Sequence, residues 1–281
     1  MNVLVTGGTG FVGCHLVRAL LDRGHQVSVV GRRDLRHLAW KNEVTYHACD
    51  IGQAIDRPFE ALGRPDAVIH LAWSGLPNYD DALHIHTNLP TSQRFLGAML
   101  EGGLRHLMVA GTCFEYGMLS GALTEDMSAE PTRPYAVAKD LLRRSLEGIR
   151  LQRPFILQWV RLFYVHGSGQ NPRSLLSSLD HAIDSGATDF DMSEGAQIRD
   201  FIPVTDAVNR MATLLVHPEC DGIINICSGT PVSILEVVKC HLKTRNAAIG
   251  LNLGRLPYAE NEPMAFWGDD SKFQRYCTDQ D

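Results

Sequence analysis

The chain has 281 residues, enough to bury a large core as one α/β domain with a smaller appendage. Its 26 Lys and Arg against 32 Asp and Glu leave a net charge of −6 with no basic block, which argues against nucleic acid or an anionic membrane as main partner. No apolar run is long enough to span a bilayer, and Met1 leads straight into a strand-like segment with no room for a signal peptide; a cytoplasmic protein is expected.

Asn2 to Thr6, NVLVT, is a short run rich in β-branched residues that predicts a strand. TGGTGFVG follows at its end. Gly7 permits a tight turn, Gly10 lets the backbone approach a pyrophosphate, and Gly13 allows close helix–strand packing. Leu16, Val17, Leu20 and Leu21 then recur at helical spacing, and the amides at the helix start, those of Phe11 and Val12 included, would face the phosphates. With a second strand at 26–30, the pattern predicts a dinucleotide site; the plain alternative is a glycine turn that binds nothing.

The end of that second strand bears on the choice between NAD and NADP. An acidic residue would bond the adenosine ribose 2′-hydroxyl, whereas arginine accommodates a 2′-phosphate. This chain reads VVGRRD, and Arg32 and Arg33 favour NADPH, with NAD the alternative if both are simply solvated and Asp34 turns inward. Further strands are expected at 43–47, 66–71, 104–110 and 155–161, alternating with amphipathic helices. That rhythm predicts a doubly wound parallel sheet covered on both faces, with its crevice at the carboxyl ends of the strands. Asp50 and Ile51 would there meet the adenine, and the strand ends HLAW (70–73), with Leu71 and Ala72 against the cofactor, and AGTCFEYG (110–117) would line the site.

Thr112, Tyr135 and Lys139 carry the chemistry. Tyr135 and Lys139 are spaced i, i+4, so on a helix both point to one face. An ammonium held there would lower the phenol's pKa and make Tyr135 a usable proton donor and acceptor near neutral pH. Thr112 can offer a hydroxyl to the same substrate oxygen, as an alcohol–ketone interconversion requires. The seven cysteines show no C-x-x-C spacing, so neither zinc nor a disulfide framework is expected. His84 and His86 are two apart and would not share a helix face, so no metal site is expected.

After Arg161 the rhythm changes to glycine- and proline-marked loops, with GSGQNPRS (167–174) and SEGAQIRDF (193–201) reading as ligand-facing. A helix is expected at 204–216 and a strand at 222–227 that could finish the sheet. The cofactor domain is thus drawn as 1–161 plus 203–227, and the smaller lobe as 162–202 plus 228–281.

TGGTGFVG, HLAW, Asn88, Thr112, YAVAK (135–139) and IRDFIPVTD (198–206) together resemble the extended short-chain dehydrogenase/reductases that act on nucleotide sugars. LPNYDD, GTCFEYG, LFYVHGSGQNP and EPMAFWGD look, more narrowly, like bacterial dTDP-4-dehydro-6-deoxyglucose reductases, which form dTDP-fucose for surface polysaccharide. The resemblance implies a Rossmann domain, a C-terminal sugar-nucleotide lobe, and a homodimer through helices at about 79–101 and 134–150, whose apolar faces could equally pack within one subunit. It implies that Tyr135 protonates the sugar C4 oxygen, that Lys139 bonds the nicotinamide ribose and tunes Tyr135, and that Thr112 holds the substrate oxygen.

By the same resemblance Arg199 would touch the nucleotide diphosphate, its alternative being a structural salt bridge. Asn88 would be a cofactor contact, and Ser74, Cys113, Tyr164 and Asn171 substrate contacts. Related dehydratases carry Asp-Glu where this chain has Cys113 and Phe114, so dehydration is not expected, and Cys113 reads as a small semi-buried residue. Tyr164 stands where 4-epimerases often have Asn, which mildly disfavours an NAD-dependent 4-epimerase. A non-catalytic dinucleotide sensor is the alternative from another class.

Overall fold

A computed structural model describes residues 1–33, 35–258 and 262–277. The first half runs β1 (Asn2–Thr6), α1 (Phe11–Asp22), β2 (Gln26–Gly31), β3 (Thr45–Ala48), α2 (Pro58–Ala61), β4 (Ala67–His70), α3 (Leu89–Gly102) and β5 (His106–Thr112). A short β6 (Gly121–Leu123), α4 (Pro134–Gln152) and β7 (Ile156–Leu162) follow. The remainder holds β8 (Tyr164–His166), α5 (Leu175–Asp184), β9 (Asp189–Asp191), β10 (Ile198–Pro203), α6 (Val204–Leu214), β11 (Gly222–Ile226), β12 (Pro231–Ser233), α7 (Ile234–Thr244), β13 (Gly250–Asn252), β14 (Phe266–Gly268) and α8 (Ser271–Cys277).

Seven parallel strands form the central sheet in the order β11-β7-β5-β4-β1-β2-β3. The order reverses between β1 and β4, the place where doubly wound sheets open a crevice. Alternation along each strand divides the core in two. Val3, Val5, Val27, Val29 and Ile69 pack with α1 and α6 on one face. Leu4, Val30, Val68, Leu107 and Val109 pack with α3 and α4 on the other. Being covered twice, β4 and β5 are buried at every residue, which is why they read as mainly apolar runs, with His70, His106 and Thr112 at their ends.

The expected doubly wound parallel sheet is found, and the strand at 222–227 does finish its edge, as β11. The helix expected from 79 begins later: a π-helical turn spans His84–Asn88 and α3 starts at Leu89. Asn78 and Asp81 hold a turn ahead of it, Asp81 accepting from the Leu83 amide at 2.9 Å. Pro90 in the first turn of α3 has no N–H to return to His86, so the winding there is wider than an α-helix. Three small sheets accompany the central one: β12-β10-β8, β13-β9, and β14 paired with β6.

Candidate active site

The glycine turn sits where β1, α1 and β4 converge. Gly7 has φ +72°, open to glycine without strain, and a Cβ there would lie 2.7 Å from the Ala72 amide nitrogen. At Gly13 a Cβ would fall 2.2 Å from the Gly7 carbonyl oxygen, so the helix could not approach the strand. Gly10 donates its amide to that carbonyl at 2.9 Å, and a Cβ on it would meet only the same oxygen, leaving its other side open. Thr6 ties the turn to β4: its hydroxyl accepts from the Ala72 amide at 3.2 Å and bonds His70 Nδ1 at 2.8 Å. This cradle of small residues before the α1 amides fits a dinucleotide pyrophosphate.

Two cavities open on either side of the turn and share Gly7, Gly10, Arg33, Leu71 and Trp73. The smaller, about 300 Å³, is lined by Arg32, Arg33, Asp50, Ile51, Leu71, Ala72, Ser74 and Asn88. Arg32 reaches the Asp50 carboxylate at 3.4 Å, and the Arg33 carbonyl accepts from the Tyr46 hydroxyl at 2.6 Å. No acidic side chain from the end of β2 lines this cavity among the described residues; the alternative placed on Asp34 lies outside them. Ser74 departs from the sequence expectation. Its hydroxyl donates to Asn88 Oδ1 at 2.8 Å while Asn88 Nδ2 donates to the Ser74 carbonyl at 2.9 Å, so the pair lines the smaller cavity, away from Thr112.

The larger cavity, about 510 Å³, is lined by Phe11, Val12, Gly13, Thr112, Cys113, Tyr135, Lys139, Tyr164 and Asn171. Thr112 ends β5 and caps the 3₁₀ turn Cys113–Tyr116, its hydroxyl accepting from the Phe114 amide and Glu115 accepting from the Thr112 amide. Glu115 is fully buried and committed to structural partners. It accepts from Trp159 Nε1 at 3.0 Å and from Arg161 Nε at 2.9 Å. The carboxylate therefore fixes the Thr112 backbone, a purpose visible only once β5 and β7 are paired.

Pro134 opens α4, and Tyr135 and Lys139 lie one turn apart on its buried face. The Tyr135 amide donates to the Tyr79 carbonyl at 3.0 Å, and its phenol hydrogen-bonds Thr112. Lys139 Nζ donates to the Ala110 carbonyl at 2.7 Å and stands 3.8 Å from the Trp73 ring centroid. The expected depression of the phenol does not occur. Burial pushes Tyr135 upward, neighbouring Tyr79, Glu115 and Cys113 add to it, and only the Thr112 hydrogen bond opposes. Lys139 is itself drawn down to about 7 by burial, against the pull of Glu115, and its ammonium rests over Trp73 rather than on the phenol oxygen.

Cys113 lines the cavity, but burial raises its thiol, so it holds little thiolate. Of the two roles left open for Arg199, the structure shows a salt bridge: the residue lines neither cavity and is fully buried. Its guanidinium donates to the Tyr164 hydroxyl at 3.0 Å, to Glu262 at 3.1 Å and to the carbonyls of Ile198 and Met264. Glu262 also accepts from the Tyr164 hydroxyl at 3.2 Å and pairs with Arg133 at 3.4 Å.

Trp73, Phe114 and Gln170 line the larger cavity from the stretches HLAW, AGTCFEYG and GSGQNPRS, and Tyr79 joins them from a loop that was not expected to line it. An aromatic residue in a loop carries no periodic signal. All seven cysteines are free, no group of three metal-type side chains gathers among the described residues, and no helix there is long and apolar enough to cross a membrane.

A protein-family model described as the NAD dependent epimerase/dehydratase family matches residues 3–227. The dTDP-6-deoxy-L-talose 4-dehydrogenase (NAD(+)) of Aggregatibacter actinomycetemcomitans is 26% identical over 270 residues, covering 95% of this chain and 99% of its own. The UDP-glucose 4-epimerase of Halalkalibacterium halodurans is 27% identical over 267 residues, covering 85% and 79%. Among solved structures, MoeE5 in complex with UDP-glucuronic acid and NAD superposes with a TM-score of 0.83 at 26% identity, over 99% of this chain and 93% of that one. The UDP-glucuronic acid 4-epimerase of Bacillus cereus shares the fold, with a TM-score of 0.86 at 23% identity over 100% and 94%. With four-fifths of its length under the family model, and with the glycine turn and the Thr–Tyr–Lys constellation in one crevice, this chain belongs to the NAD dependent epimerase/dehydratase family.

Proposed function

We propose that the protein is a nucleotide-sugar oxidoreductase that reduces the C4 ketone of a dTDP-4-keto-6-deoxy sugar, using NADPH in preference to NADH. The observation that carries the reading is the meeting of Thr112, Tyr135 and Lys139 on the wall of a cavity continuous with the glycine turn. The dinucleotide supplies the hydride; this chain's own residues handle the oxygen. Thr112, fixed through Glu115, would hold the C4 oxygen beside the Tyr135 hydroxyl. The burial that raises the phenol keeps it protonated at neutral pH, the form an acid needs. Lys139 then restores the proton and holds the cofactor ribose.

Arg32 and Arg33 beside the smaller cavity support a 2′-phosphate. We take residues 1–161 with 203–227 as the cofactor domain and 162–202 with 228–281 as the sugar-nucleotide lobe, and a homodimer as the working assembly. The dehydrogenase relative is named for a dTDP-6-deoxy sugar oxidised at C4, which in reverse is the reduction of a 4-ketone.

The test is NADPH consumption with freshly generated dTDP-4-keto-6-deoxyglucose, beside the 4-ketone obtained from dTDP-6-deoxy-L-talose. One cofactor consumed per sugar is expected, and NMR of the product at C4 identifies dTDP-fucose or the talose. No consumption with either ketone defeats the reading. The alternative, supported by the epimerase relative, is a nucleotide-sugar 4-epimerase, which would retain NAD through purification and invert C4 without net cofactor turnover.

A further inference from the structure

Lys139 is almost wholly enclosed, with 2% of its surface exposed, yet among the described residues no carboxylate pairs with it. Its bond to the Ala110 carbonyl brings no opposite charge, and a buried ammonium without a counter-ion is costly, so the protein has to stabilise it some other way. We propose that Trp73 is a positioning residue for Lys139: its indole face takes the place of a counter-ion under the ammonium, and His84 locks the indole in that plane.

The geometry is specific. Lys139 Nζ lies 3.8 Å from the Trp73 ring centroid, close contact for a cation on an aromatic face. Trp73 Nε1 donates to His84 Nδ1 at 3.0 Å, so that nitrogen carries no proton, and His84 Nε2 donates to the Asn78 carbonyl at 2.7 Å. The ring is fully buried and takes a further contact from Asn88 Nδ2 at 3.3 Å. The Trp73 and His84 rings both lie against Tyr135, at centroid distances of 6.1 and 5.3 Å.

The other titratable groups around Lys139 and Trp73 are Tyr135 on the same helix as the lysine, Glu115 on the 3₁₀ turn, His70 at the end of β4, and His84 against the indole. Glu115 favours the ammonium but is bonded to Arg161, and His70, held neutral by burial and by Lys139 itself, offers it no charge. A π face stabilises the cation without accepting an N–H in a directional bond. The remaining hydrogens stay available to Tyr135 and to the cofactor ribose, and in that last respect alone the inference rests on the proposed reaction.

The test compares wild type, Trp73→Phe, Trp73→Leu and Lys139→Met. Tryptophan emission followed from pH 5 to 9 is expected to show a transition near neutrality, absent in both Trp73→Phe and Lys139→Met. This readout needs no turnover, so it can succeed on a protein inactive with every nucleotide sugar, and its failure is separate from failure of the proposed function. In an active enzyme the basic limb of the kcat profile should fall by roughly one pH unit in Trp73→Leu and by less in Trp73→Phe, which keeps a π face. A fluorescence transition that survives in Lys139→Met, or equal shifts in the Leu and Phe variants, would overturn the inference. If Trp73→Leu does not fold, the wild type and Lys139→Met titrations decide alone.

Discussion

Tyr135 and Lys139 owe their character to burial before they owe it to one another. Tyr135→Phe removes the proton donor and should lower turnover by roughly 10²- to 10⁴-fold while cofactor binding, followed by fluorescence, is kept. A ligand response that persists together with full turnover would mean that the proton comes from elsewhere. The lysine supports a pH-dependent prediction. Its folded pKa of about 7 lies below the ordinary 10.5, so between those values the unfolded chain binds more protons and stability rises with pH. Lys139→Met removes the buried cation. The variant should therefore melt higher than wild type at pH 6, with the gain fading as pH rises from about 7 towards 10.5. Melting curves at pH 6 and 9 check the sign.

At the scale of elements, the joint between β5 and the 3₁₀ turn sets the position of Thr112. Glu115 caps that turn and pairs with Arg161 of β7 at 2.9 Å, both side chains being fully buried. Removing one member leaves the other charge uncompensated, so Glu115→Ala should cost about 3–5 kcal/mol, read as a fall in the urea midpoint. Activity should fall further than the loss of folded protein explains, because the Thr112 amide loses its acceptor. The joint between β1 and α1 is equally tight. In Gly13→Ala the new Cβ would strike the Gly7 carbonyl, and a cost of about 1–3 kcal/mol with weakened cofactor binding is expected by calorimetry.

Over the whole molecule, one crevice at the reversal of strand order joins two cavities through Gly7, Gly10, Arg33, Leu71 and Trp73. An extended dinucleotide can lie across that shared edge, with its adenosine end beside Arg32 and Arg33. Arg33→Ala should raise the KM for NADPH roughly 10- to 100-fold and leave that for NADH nearly unchanged. Equal effects on both cofactors would remove the argument for a 2′-phosphate. Opposite that end, Glu262 draws Arg133 at the mouth of α4 to Arg199 of β10, joining the later residues to the helix that carries Tyr135 and Lys139.

The strands, the glycine turn and the Thr–Tyr–Lys spacing were legible because they are local. Alternation, turn chemistry and an i, i+4 pair are written in consecutive residues, and the paired strands followed them to within one or two positions. The start of α3 was less legible, since a turn held by Asp81 and a proline one turn later override an apolar pattern. Arg199 stayed open between two roles for a different reason: whether a guanidinium pairs with a carboxylate depends on a residue 63 positions away, Glu262. The same holds for Glu115, whose partners lie on β7, and for Tyr135, whose pKa follows enclosure rather than a neighbour's charge. The sequence by itself determined the fold class and the chemistry-bearing residue types, because both follow from short-range pattern. Burial and long-range pairing decided which charges are free, which are spent, and which ring lies under the lysine, because these depend on distances that exist only in the folded chain.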